Sequence, residues 1–307
     1  MTLLFIRMVM VMMIGCGVTM AGAMVAGHRR MGMTIAYQVE QFPCTTHWID
    51  TGRPTDSFTL VKKPPFCLPH AAWSPNHRYA ALAAYPSELL TIAIGRNGHN
   101  WNQVIDISGV IGVQHSLAWS PDSTQLAFLN ESATVTVIGI VRMVNGVPEQ
   151  PCFFTITATE PLAYSPLAWS LDGQFIAFAA YDAPRRQGSE ELYSLNVSNG
   201  AVRRLTTNSY CDDWPSWSPD GTQLVFTSSE DGYNELYVIN LATSERRRLT
   251  YYTIGYRPNW SPDGKTIVFV SNIDYDYDLY AIGANGFGLR RLTVEHYPTV
   301  IDSIWFP

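Results

Sequence analysis

Side chains able to bind or carry charge stand at one recurring place in this chain, just ahead of a repeated tryptophan. They occur in the pairs Pro69-His70, His115-Ser116, Ser165-Pro166, Asp213-Trp214, Tyr256-Arg257 and Ile301-Asp302. His70, His115 and Arg257 suit an anionic or peptide-terminal group, and Trp214 and Tyr256 offer flat stacking surface. Asp213 and Asp302 would take a ligand's donors, or pair with Arg257 while the whole set simply fills loops. Two histidines among acids also raise a metal, but His70 and His115 belong to different repeats and form no ligand motif. No metal and no other cofactor is expected. Gathered round one cavity, these seven residues would form a binding site for a small anionic or peptide ligand. The elements that follow each pair decide whether they gather.

Those elements repeat. Trp217-Ser218-Pro219-Asp220-Gly221, followed by Gln223-Leu224-Val225-Phe226, has counterparts beginning at Trp73, Trp119, Trp169 and Trp260, and Trp305 starts another as the sequence stops. The tryptophans lie 46, 50, 48, 43 and 45 residues apart. That period belongs to four-stranded propeller blades, not to the shorter helical repeats. Within one copy a short strand ends at Trp217. Ser218 to Gly221 fits a tight turn, with φ preset by Pro219 and positive φ open to Gly221. Alternation from Gln223 to Ser228 gives a second strand, 235–240 a third and 246–250 a fourth. Third strands are likewise expected at 90–94, 135–138, 191–195 and 278–282. One such sheet cannot bury its large side chains alone, so neighbours must pack with the tryptophans wedged between them.

The pattern Pro-x-Trp-Ser-Pro-Asp-Gly, then Ile-Ala-Phe, Leu-Tyr-Val and Arg-Arg-Leu-Thr, resembles the TolB-like, WD-repeat-like β-propeller family, related to the propellers of prolyl oligopeptidases. The resemblance covers roughly 34–307. It is loosest at Trp73 and Trp119, where Asn76-His77 and Asp122-Ser123 replace Asp-Gly, and Leu171 replaces the proline of the third copy. It implies an all-β, six-bladed propeller of four-stranded antiparallel blades, whose loops into the innermost strands meet at one mouth of a central channel. Thr34 to Tyr37, His47 to Asp50 and Ser57 to Val61 resemble second, third and fourth strands that lack a first. Residues 299–306 would supply it, so that N- and C-terminal strands share one blade and hide two sheet edges.

A net charge of −6 argues against bulk attraction to nucleic acid. The arginine clusters 203–204, 246–248 and 290–291 fall at equivalent positions of outer strands and read as charges guarding sheet edges. Met8 to Gly27 is a 20-residue stretch without charge, long enough to span a bilayer. Three fates fit residues 1–33: retention as a membrane anchor, cleavage as a signal peptide after Ala21-Gly22-Ala23, or lipidation of Cys16. Each leads to an exported protein, periplasmic, at the cell surface or held at a membrane, as the family resemblance also implies. Of the other cysteines, Cys44 with Cys67 and Cys152 with Cys211 are candidate pairs, alongside the alternative of four unrelated thiols.

The alternating acids Asp274, Asp276 and Asp278 lack the downstream glycine and glutamate of a calcium loop and read as a hairpin turn. There is no Gly-x-Ser-x-Gly elbow, glycine-rich phosphate loop or His-Glu-x-x-His, so no catalytic residue is expected. The leading expectation is a non-enzymatic scaffold that binds a protein partner through its loop faces. The competing one is a lyase or hydrolase acting on an anionic saccharide or peptide at the channel mouth.

Overall fold

The computed structural model describes the backbone over 34–39, 45–50, 57–59, 71–76, 79–84, 89–94, 103–106, 113–131, 136–156, 166–181, 189–274, 277–293 and 300–306. Residues 1–33 with Cys16, together with Cys44, Cys67 and His70, lie outside these. Everything regular among the described residues is β-strand, and no helix there is long and apolar enough to cross a membrane.

In chain order the strands begin with β1 (Thr34–Val39), β2 (Thr45–Asp50) and β3 (Ser57–Thr59). A second sheet follows as β4 (Ala71–Trp73), β5 (Tyr79–Ala84), β6 (Leu89–Ile94) and β7 (Gln103–Asp106). The third contains β8 (Val113–Trp119), β9 (Gln125–Glu131), β10 (Thr136–Val144), β11 (Val147–Pro148) and β12 (Cys152–Ile156). The fourth is β13 (Ala168–Trp169), β14 (Phe175–Tyr181), β15 (Glu190–Asn196) and β16 (Val202–Arg204). The fifth is β17 (Asp212–Trp217), β18 (Gln223–Ser228), β19 (Glu235–Asn240) and β20 (Arg246–Arg248). The sixth is β21 (Gly255–Trp260), β22 (Thr266–Ser271), β23 (Asp278–Gly283) and β24 (Arg290–Arg291). The last strand, β25 (Val300–Phe306), pairs antiparallel with β1, placing Trp305 opposite Ile35. From the second sheet onward each sheet lies against the next, and β25 lies against β21 and β22.

The turn after each tryptophan builds itself from its own side chains. In the fifth sheet the Ser218 hydroxyl donates to Asp220 Oδ1 at 2.6 Å and accepts the Gln223 N–H at 2.9 Å, while Thr222 N–H donates to Asp220 at 3.0 Å. Gly221 takes φ 70°, the left-handed conformation this turn needs. Where the glycine is missing, Ser123 adopts φ 62° in its place, and its hydroxyl accepts the Asn76 N–H of the preceding sheet at 2.9 Å.

Between sheets, the tryptophans do wedge. The indole N–H groups of Trp119, Trp169 and Trp217 donate to the carbonyls of Ala72, Ala118 and Ala168 on the preceding sheet, each at 3.0 Å. Within the third to sixth sheets the core is phenylalanine from the second strand: Phe128, Phe178, Phe226 and Phe269 are fully buried, a burial that stabilises by about 1.5–3 kcal/mol per side chain. Tyr193, Tyr237 and Tyr280 of the third strands pack against the last three, with ring centres 5.7, 6.0 and 5.9 Å apart.

The third sheet departs from the expected four strands. Its β10 runs on to Val144 and folds back into β11 through Asn145-Gly146, at φ 51° and 80°, the pair of positive values a two-residue hairpin requires. The true fourth strand, β12, pairs with the first half of β10. The arginines also differ from a simple edge guard. Alternation along each outer strand turns arginines inward, so Arg204, Arg248 and Arg291 pair with the buried acids Glu191, Glu235 and Asp278 at 3.0, 3.4 and 2.5 Å, and Arg246, on the same face as Arg248, pairs with buried Asp212 at 3.5 Å. Their neighbours Arg203 and Arg247 reach the next sheet's Leu241 and Ala284 carbonyls instead.

Candidate functional site

In a four-stranded antiparallel sheet the connections into the first strand and between the second and third lie at the same end. That end carries the described members of the candidate set. Of these, Trp214 and Arg257 come from different sheets and meet: Arg257 Cζ lies 4.5 Å from the centre of the Trp214 ring. Both are half-buried. Asp213 sits beside them and accepts the Trp214 N–H at 2.6 Å through Oδ1. Tyr256 packs on Tyr277, ring centres 6.2 Å apart; burial chiefly, and then Tyr277, pushes its phenol above the usual range, against a hydrogen bond from Asn234. His115 and Asp302 occupy backbone positions at this end, opposite Leu129 in β9 and Gln38 in β1. His70 lies outside the described residues. Among the described residues no group of three or more histidines, cysteines and acids is placed to hold a metal.

A backbone device at this end has no counterpart in the sequence reading. Pairing between first and second strands breaks between His115 and Leu117, between Asp213 and Ser216, and between Tyr256 and Asn259. In each case one extra residue is accommodated opposite a buried phenylalanine, as in a β-bulge. The extra residue stands three places before the sheet's tryptophan and adopts a left-handed backbone: Ser116 at φ 52°, Trp214 at 57° and Arg257 at 51°. The only hint in the sequence is the proline that follows Trp214 and Arg257, which disfavours right-handed helix at the residue before it.

Beneath the site, buried acids fix the loops. Glu235 is fully buried and accepts from the hydroxyls of Thr250 at 2.6 Å and Thr253 at 2.9 Å, so it pins the loop from β20 to β21. Asp212 accepts from Ser228 at 2.5 Å and Asn208 at 2.7 Å; burial raises its carboxyl above the ordinary range despite those bonds and Arg246. In the acidic hairpin, Asp274 accepts the Tyr280 hydroxyl at 2.6 Å and Asp278 accepts that of Thr293 at 2.6 Å, so both serve the sheet itself. Cys152 and Cys211 are exposed and free, which corrects the pairing offered for them. Cys211 instead approaches Glu190; the partial shielding of its thiol from water and then that carboxylate push it upward.

Tandem four-stranded sheets joined through tryptophan seams, with side chains displayed from the first strands at one end, define a repeat protein of the β-propeller class. Residues 208–303 match the family described as the TolB beta propeller domain. The chain is 35% identical over 86 residues to the Tol-Pal system protein TolB of Francisella tularensis subsp. holarctica (strain OSU18), an alignment covering 27% of this chain and 19% of that protein. The crystal structure of TolB from Acinetobacter baumannii superimposes with a TM-score of 0.65 at 20% identity, covering 89% of this chain and 66% of that one. A Mycobacterium tuberculosis puromycin-hydrolyzing peptidase shares the fold at TM-score 0.53 and 16% identity, over 86% of this chain and 44% of its own. The repeats within 208–303 are TolB-like propeller repeats. The alignment spans about a fifth of the length of the curated relatives it matches.

Proposed function

We propose that the chain is a non-catalytic, exported or membrane-anchored scaffold whose displayed end binds a protein partner. In this reading 34–307 close as a six-bladed ring in which β25 and β1 share a blade, preceded by residues 1–33 as signal peptide or anchor. The observation that carries it is the Arg257–Trp214 stack, held by bulged backbone at the end where connections gather. Tryptophan, tyrosine and arginine dominate the energetics of protein interfaces. The partners of a Tol-Pal system protein are candidates for this chain by the same likeness, since residues 208–303 carry the family's repeats.

A photoreactive amino acid placed at Tyr233 of the full chain, exposed in the connection between β18 and β19 at the same end, with the same group at Leu171 on the opposite end as control, tests this directly. The expected result is one protein crosslinked reproducibly from 233 and not from 171. Equal capture from both ends, or none from 233 in native membranes, overturns it.

A further inference from the structure

The opposite end of the sheets carries the connections from first to second strand and from third to fourth. There the third, fourth and sixth sheets depart from the repeat, and each departure places an apolar side chain in water. In the third sheet the added β10–β11 hairpin exposes Val144 and Val147. In the fourth, Leu171 replaces the proline of the turn and is 61% exposed. In the sixth, Phe287 stands between Gly286 and Gly288 on the turn into β24 and is 77% exposed. The corresponding turns of the fourth and fifth sheets carry Ser198-Asn199 and Thr243-Ser244 at their tips. The displayed end differs in kind: its exposed large side chains, among the described residues, are Tyr210, Tyr233, Tyr251, Tyr252 and Ile273.

Apolar side chains exposed together mark a surface for a protein or a membrane. The place where the chain enters the fold decides between them. Thr34, the first residue of β1, pairs with Phe306, one place past Trp305. In the other sheets the residue after the tryptophan is the serine that opens the turn at this same opposite end. The uncharged stretch Met8 to Gly27 is therefore joined to the fold at the end that exposes Val147, Leu171 and Phe287. Gly27 and Thr34 are seven residues apart, a reach of about 25 Å at full extension. We infer that this end lies on a lipid bilayer, with Val147, Leu171 and Phe287 entering the boundary between headgroups and acyl chains. The inference rests on the reading that residues 1–33 hold the chain at a membrane. The exposed arginines of this end, Arg203, Arg247 and Arg290, are matched by the turn acids Asp172, Asp220 and Asp263, so apolar insertion and not attraction to anionic lipid carries the contact. In this orientation Trp214 and Arg257 face away from the bilayer, toward a partner in water.

The full chain is reconstituted into phosphatidylcholine vesicles with a coumarin amino acid at 287, 171 or 233, and quenching by lipids carrying a nitroxide near the headgroup is measured. Quenching at 287 and 171 is expected to exceed that at 233 at least threefold. With the fluorophore at 147, Leu171→Glu combined with Phe287→Glu should lower quenching at least twofold, while the thermal midpoint holds because both side chains already stand in water. Equal quenching at the two ends, stronger quenching at 233, or no change in the double variant overturns the inference. So does capture of a protein, a second copy included, from the photoreactive group at 171. A chain that stays with the vesicles through a carbonate wash, yet is quenched equally at 287 and 233, keeps its anchor and loses only the facing end. One that washes off loses the anchor reading and this inference together.

Discussion

Gly139 offers the sharpest quantitative test of the packing that positions the site. It lies in β10 opposite Phe128, where the fourth, fifth and sixth sheets place Tyr193, Tyr237 and Tyr280 opposite their phenylalanines. Without a side chain there, the Phe128 ring settles over the glycine. A Cβ at 139 would stand 2.5 and 2.7 Å from the two Cε atoms of that ring. Phe128 is fully buried within a cluster containing Ala72, Ala81, Leu126 and Val141, so the ring cannot swing into solvent. Overpacking of this kind costs about 1–3 kcal/mol, and restricting the unfolded chain returns roughly 0.4–1 kcal/mol. The net expectation for Gly139→Ala is a loss of about 1–2 kcal/mol, a fall in Tm of roughly 2–8 °C for a large domain. Gly139→Tyr restores the repeat pattern yet should lose more. Thermal unfolding followed by circular dichroism reads both. A Gly139→Ala midpoint at or above that of the wild type would refute the packing argument, and a stabilised Gly139→Tyr would refute it more strongly.

Removing the carboxylate at Glu235 leaves two buried threonine hydroxyls without their acceptor and leaves Arg248 with Asp231, so Glu235→Ala should cost about 2–5 kcal/mol in denaturant titrations. Hydrogen exchange should rise over 250–255 in the same variant. Ser218 beside Asp220 holds that carboxyl below its ordinary value of 3.8. A depressed folded pKa means the contribution is whole above 3.8 and is lost as pH falls through the lower folded value. Wild-type stability should therefore decline more steeply below pH 3.8 than that of Asp220→Asn; parallel declines would discount the turn bond. Peptide mapping without reductant should find Cys152 and Cys211 as separate thiols, with alkylation of Cys211 accelerating as pH rises. A crosslinked 152–211 peptide would contradict the structure.

Much of the architecture was legible because it is local and repeated. Trp217 to Gly221 names its own turn, since serine, aspartate and glycine satisfy that backbone within five residues. Alternation then marks Leu224 and Phe226 as core. The third strands followed from the same logic except at β10, where Asn145-Gly146 is a strong hairpin signal that the repeat pattern masked. The arginine clusters were located but misread: neighbours on one strand face opposite ways, and only the cross-strand register shows that Arg248 meets Glu235 while Arg247 reaches the next sheet.

The candidate site divides in the same way. By itself the sequence determined that Trp214, Tyr256 and Arg257 stand at one end of their sheets, because strand direction follows from counting strands. Only the tertiary structure decided that Trp214 and Arg257 touch. That contact depends on one surplus residue in each first strand and on a left-handed φ that neither side chain prefers in isolation. Such a conformation is held by the sheets around it, so it is a property of the assembled fold and not of the residues that adopt it.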